Sequence, residues 1–169
     1  MKTCLVGCGG IAAVHGSVLT SGIDTEFVAA ADIKPEKAQS YAENFHTKPY
    51  PSLESMLEAE KPDVLHICTP HYLHVPMAIY SLERNINVFM EKPPAISFDQ
   101  LEELKKAAAK SEAQLGFCYQ NRYNASIRAA KDLIDSGKAG KVLGARAFVT
   151  WCRGAAYYTE SGWRGSVKT

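Results

Sequence analysis

Gly7, Gly9 and Ala12 stand in the arrangement G-x-G-x-x-A within CLVGCGGIAAVHG, directly after an apolar run and at the start of a helical stretch. This spacing suits a pyrophosphate. Gly7 permits a tight turn, Gly9 leaves room for phosphate oxygens against the backbone, and Ala12 lets helix and strand pack closely. With Gly10 and Ile11, the loop would offer helix N-terminal N–H groups to the phosphates. Asp32 follows 20 residues after Ala12, at the end of a second apolar run in VAAADIK, with Ile33 next to it. A carboxylate there accepts hydrogen bonds from a ribose diol and repels a 2′-phosphate, which favours NAD over NADP. Lys34, two residues on, would offset that repulsion and keeps NADP in play.

Glu91 and Lys92 close another short apolar run, Val88-Phe89-Met90, and Pro93 and Pro94 follow at once. A charge pair ending a buried strand needs a reason, because an unpaired buried charge is costly. His66, Cys68, His71 and His74 lie within nine residues and resemble a zinc site on paper. The geometry argues otherwise. His66 and Cys68 share one face of a strand, His71 and His74 belong to the turn and helix beyond it, and no second ligand group has metal-like spacing. No metal is expected. Thr69-Pro70 instead ends the strand at the edge where ligands bind in open α/β sheets, so Cys68, Thr69, Pro70 and His74 are candidates for a cofactor groove.

The elements that must position these residues alternate. Apolar runs at 3–6, 27–31, 64–68, 88–90 and 115–119, with a weakly marked one near Tyr50, are separated by helix-like segments. Pro35 suits a first helical turn, Ser52 a helix cap, and Ser97-Phe98-Asp99-Gln100 a capping box. The helix after the run at 64–68 is expected over 73–84. Strands without strict alternation, separated by helices, predict a doubly wound Rossmann-type parallel sheet, an α/β fold, over 1–120. Beyond it the character changes. Asn124 is placed to cap a helix reaching Gly137, and 142–153 reads as a strand of a different, antiparallel sheet, the start of a truncated α+β second domain over 121–169.

Composition narrows the function class. Nineteen basic against eighteen acidic residues give a net charge of +1, too little to draw the chain to nucleic acid or an anionic membrane. No apolar window approaches a membrane span. Five widely spaced cysteines without Cys-x-x-Cys read as reduced thiols in a cytoplasmic protein.

Taken together, GCGGIA, Asp32, HICTPHYLH and Glu91-Lys92-Pro93 resemble the Gfo/Idh/MocA oxidoreductases, the relatives of glucose–fructose oxidoreductase and inositol dehydrogenase. The resemblance implies an NAD(P)-dependent dehydrogenase acting on a hydroxyl of a sugar, cyclitol or related small molecule. In that family the lysine of the E-K-P motif lies beside the nicotinamide and meets the substrate hydroxyl, a catalytic role that carries over to Lys92. Alcohol oxidation needs the O–H proton removed as hydride leaves carbon, and a cationic ring nearby favours the neutral amine that can take it. The resemblance places Glu91 and Pro93 on the nicotinamide side. Pro94 departs from the bulky apolar residue often found there. YQNRYN matches the crossing into the second domain, so Asn121 and Arg122 become candidates for substrate contact, as do Trp163 and Arg164 of the W-R element.

Family members run about twice this length, and a helix carrying a further catalytic aspartate and histidine follows the W-R element. The expectation is therefore a nucleotide-binding half with the beginning of a second domain whose sheet commonly forms subunit contacts, implying a homo-oligomer. Two other readings stand beside it. One is a non-catalytic dinucleotide-binding module, a sensor or regulatory subunit. The other is a methyltransferase-like domain, in which Glu91-Lys92-Pro93 has no task.

Overall fold

A computed structural model describes residues 1–22, 24–159 and 162–165. The chain divides into two units, Met1–Cys118 and Tyr119–Thr169.

In the first unit, strands β1 (Lys2–Val6), β2 (Glu26–Ala31), β3 (Lys48–Tyr50), β4 (Val64–Ile67), β5 (Asn87–Glu91) and β6 (Leu115–Cys118) alternate with helices α1 (Ala12–Ser21), α2 (Pro35–Phe45), α3 (Leu53–Glu60), α4 (His74–Leu82) and α5 (Phe98–Lys110). The strands form one sheet in the order β3-β2-β1-β4-β5-β6, and every neighbouring pair is parallel. This is the doubly wound order, whose direction reverses between β1 and β4 and opens a crevice there at the carboxyl ends of the strands. The helices cover both faces, which is why Leu5 on one face is as fully buried as Cys4, Leu65, Ile67 and Met90 on the other.

Local chemistry explains the helix starts. Ser52 Oγ accepts from the Ser55 N–H at 3.1 Å, and Ser97 Oγ accepts from the Gln100 N–H at 3.2 Å. The Gln100 side chain reaches back one residue further than a capping box requires, accepting from the Ile96 N–H at 3.2 Å. Pro35 opens α2 as expected. Between β4 and α4 the chain makes one 3₁₀ turn, His71–Leu73, so the regular helix is shorter than the sequence suggested and runs His74–Leu82.

The second unit holds a 3₁₀ turn at Gln120–Tyr123, helix α6 (Ala125–Asp135) and helix α7 (Ala155–Thr159). Gly137, at a φ of +73°, ends α6 just past its last turn, but the Asn124 side chain makes no capping bond. The strand expected over 142–153 is absent among the described residues, and Leu143, Phe148, Val149 and Trp151 are exposed there. A lone segment has no ladder to join, and alternation alone cannot supply one. A short helix, α7, occupies sequence that shows no regular pattern.

Candidate active site

Gly7 sits at a φ of +92°, a conformation open to glycine, and its N–H donates to the Ala31 carbonyl at 2.8 Å. A Cβ there would lie 2.8 Å from the Cys68 carbonyl carbon and from the Thr69 nitrogen. The turn therefore presses against the end of β4. At Gly9 and Gly10 an added Cβ would meet nothing within 4 Å, so this side of the loop faces open space. Ala12 is fully buried, and its carbonyl accepts from the Tyr41 hydroxyl at 2.8 Å, which ties α1 to α2. Gly16 is a further constraint that sequence reasoning missed. A Cβ on it would fall 2.5 Å from the Tyr41 hydroxyl and 2.7 Å from the Phe45 ring. An A-x-x-x-G spacing from Ala12 to Gly16 on one helix face was the available signal.

Asp32 lies at the carboxyl end of β2, next to the glycine turn. Its Oδ2 accepts from the Cys8 N–H and its Oδ1 from the Lys34 N–H, each at 2.9 Å. Each carboxylate oxygen has a second acceptor position, so both can still take a ribose hydroxyl. Ile33 beside it is exposed. Burial, with Asp32 adding to it, pushes the Cys8 thiol up to about 12, so it is a packing group rather than a nucleophile.

On the next strands the structure departs from the expected groove. Cys68 packs its side chain with Leu5, Ala12, Ala30 and Tyr41 and contributes only backbone to the wall of the turn. Burial pushes its thiol strongly upward. His74 has no exposed surface at all. Its Nδ1 lies 2.8 Å from the Pro93 carbonyl oxygen and its Nε2 lies 3.0 Å from the Thr69 carbonyl oxygen, so it braces two loops from behind and does not line the groove. Both residues read as wall from sequence because the carboxyl edge is visible in the pattern while side-chain direction is not. Thr69 and Pro70 are half-buried at that edge.

Glu91 was expected beside the nicotinamide, and the structure turns it inward. It is 5% exposed, and its Oε1 accepts from His15 Nε2 on α1 at 3.1 Å. Burial works against its charge, but bonds from His15 and the Cys118 thiol outweigh this and hold its carboxyl below the usual range. The second ring nitrogen of His15 meets Nδ1 of His66 at 2.9 Å. Burial and the neighbouring His15 lower His66 to about 4, which keeps it neutral at physiological pH. Lys92, by contrast, emerges exposed at the end of β5, and the Lys92–Pro93 peptide is cis. The charge pair at the end of the strand resolves into two opposite directions, Glu91 into the protein and Lys92 out of it.

The four metal-type residues near β4 do not converge. His66 is committed to His15, and His74 faces carbonyls. The convergent group among the described residues is His15, Glu91 and Cys118, whose donor atoms all lie within 4.8 Å of one another and are joined by hydrogen bonds. Asn121 and Arg122, in the 3₁₀ turn at Gln120–Tyr123, belong to the second unit and are exposed. Trp163 and Arg164 belong to it as well. The Arg164 guanidinium lies 4.2 Å from the Tyr157 ring centroid and 5.6 Å from that of Trp163.

Residues 1–119 match the family model described as oxidoreductase family, NAD-binding Rossmann fold. The chain belongs to the Gfo/Idh/MocA oxidoreductase family. Among curated members, D-glucoside 3-dehydrogenase of Escherichia coli (strain K12) is 28% identical over 96% of this chain and 46% of its own length. Among solved Gfo/Idh/MocA-like structures, the WlbA dehydrogenase from Bordetella pertussis, in complex with NADH and UDP-GlcNAcA, is 31% identical with a TM-score of 0.88, over 97% of this chain and 50% of its own. Myo-inositol 2-dehydrogenase from Lactobacillus plantarum is 26% identical with a TM-score of 0.78, over 84% of this chain and 43% of its own. The chain thus spans about half the length of these Gfo/Idh/MocA relatives. Its first unit is an NAD-binding Rossmann domain, and no helix among the described residues is long and apolar enough to cross a membrane.

Proposed function

We propose that the protein transfers hydride between NAD and a hydroxyl-bearing carbon of a sugar or cyclitol, with Lys92 as the group that takes the hydroxyl proton. The observation that carries this reading is the position of Lys92. It is exposed at the carboxyl edge of β5, one strand from the switch point, in a sheet whose first turn and Asp32 suit a dinucleotide. NAD would lie with its pyrophosphate over Gly9 and Gly10 and its adenosine ribose at Asp32, and when bound it supplies the hydride acceptor. Thr69, Pro70 and Pro93 line the nicotinamide end, while His74 holds their loops. Deprotonation of the substrate alcohol by a positioned base contributes roughly 10²–10⁴ in rate.

The relatives support a carbohydrate substrate. The match to the UDP-GlcNAcA-bound WlbA dehydrogenase covers 97% of the chain, whereas that to the inositol enzyme covers 84%. The stretch with Asn121, Arg122, Trp163 and Arg164 is the natural place for substrate contacts, and a nucleotide-linked sugar is the first class to test.

The test is to incubate the protein with NAD and, separately, UDP-GlcNAcA, a glucoside and myo-inositol, following nicotinamide absorbance. NADH formation with one of them, lost in Lys92→Ala while NADH binding is retained, is the expected result. Intact NADH binding with no oxidation of any substrate would favour the non-catalytic module instead.

A further inference from the structure

We propose that His15 is a positioning residue for Lys92, acting through Glu91; the proposal rests on the reading of Lys92 as the group that meets substrate. Lys92 follows the last residue of β5, so its backbone direction depends on how that strand ends. Glu91 fixes the ending with both carboxylate oxygens. Oε1 accepts from His15 Nε2 at 3.1 Å, and Oε2 accepts from the backbone N–H of Lys92 itself at 3.3 Å. The Cys118 thiol on β6, paired in register with Glu91, donates to the same carboxylate.

His15 is the member of this group that comes from outside the sheet. It lies on α1, three residues after Ala12, on the helix that begins at the glycine turn. One rigid helix therefore carries both the loop suited to the cofactor phosphates and the imidazole that anchors Glu91, and the span between them sets where the amine stands relative to the cofactor. Glu91 is otherwise a buried carboxylate. Without His15 it keeps only the Cys118 thiol and the Lys92 N–H as donors, and a carboxyl that takes up a proton or turns toward water holds that N–H more loosely.

His66 completes the device. Because it stays neutral, its ring can serve His15 in two ways. A neutral His15 accepts at Nδ1 from the His66 Nδ1–H and donates from Nε2 to Glu91. A His15 carrying two protons donates from both nitrogens, and His66 accepts with its tautomer exchanged. The donor to Glu91 is present in either arrangement, so the anchor does not depend on which tautomer His66 takes.

The test uses the 169-residue protein with its lysines dimethylated by isotope-labelled formaldehyde, the Lys92 resonance being assigned by its loss in Lys92→Arg. In the otherwise unsubstituted protein, adding NADH should shift this resonance. No shift would sink the reading of Lys92, independently of His15. In His15→Ala and Glu91→Gln, the Lys92 resonance before NADH should move away from its unsubstituted position, and imidazole should move it back in His15→Ala only. A merely structural role would lower the melting temperature and leave the resonance of the folded protein in place, which overturns the proposal. Where His15→Ala does not fold, the near-isosteric Glu91→Gln decides by the same two outcomes.

Discussion

The ring of His74 joins Pro93 to Thr69, with Nδ1 2.8 Å from one carbonyl oxygen and Nε2 3.0 Å from the other. The loops after β4 and β5 are thereby held at one distance, and Lys92 stands at the edge of the second of them. Replacing His74 with alanine leaves both carbonyls without this partner and a cavity where a fully buried ring stood. We expect a loss of about 3 kcal/mol in urea unfolding, together with weaker NADH binding. Unchanged stability would show that the ring is not a brace.

Gly7 tests the turn itself. Alanine there combines a φ of +92° with a Cβ 2.8 Å from the Cys68–Thr69 backbone just past β4, which cannot step aside. The expected cost is about 3 kcal/mol or more, read as a fall in melting temperature. Gly9→Ala meets nothing in the protein, so it should melt like the unsubstituted chain and lose affinity for NADH alone.

His66 predicts an acid response. Its folded-state value is about 4 against an ordinary 6.5, so the unfolded chain binds the proton more readily. The stability it contributes is present above pH 6.5 and is lost as pH falls through about 4, on the order of 2 kcal/mol in all. Urea midpoints of the unsubstituted protein and of His66→Gln should therefore converge across that window. Parallel curves would contradict a neutral, half-buried His66.

Glu60 acts at lower pH. The Tyr50 hydroxyl donates to its Oε1 at 2.6 Å and Lys48 Nζ at 2.9 Å, while Lys2 Nζ lies 3.1 Å from Oε2. These partners, Tyr50 foremost, lower its carboxyl from 4.5 to about 2. Its stabilisation is present above pH 4.5 and disappears as pH falls through about 2. Glu60→Gln should cost about 2 kcal/mol at neutral pH and nothing below that window, by thermal melting across pH.

The sheet was legible because a strand covered on both faces carries its signal locally, in apolar runs bounded by Gly7, Pro35, Ser52 and Ser97. The position of Asp32 beside the glycine turn was legible for the same reason, its spacing being set by one β-α-β unit. The partner of Glu91 was not, since His15 lies 76 residues away and meets it only once β5 has taken its place beneath α1. A histidine on the buried face of α1 was the one hint. His74 and Cys68 were placed at the right edge with the wrong facing, because a residue's position along a strand end does not fix which way its side chain turns. The segment 142–153 was misread since alternation describes a strand only where neighbours exist to pair with it.

The most direct measurement is a parallel titration of the 169-residue protein with NADH and NADPH, followed by Trp and nicotinamide fluorescence and repeated with Asp32→Ala. The account predicts saturable NADH binding, tighter than NADPH, that weakens about tenfold when the carboxylate of Asp32 is removed. A folded protein that binds neither nucleotide, or that holds NADH equally well without Asp32, would contradict it.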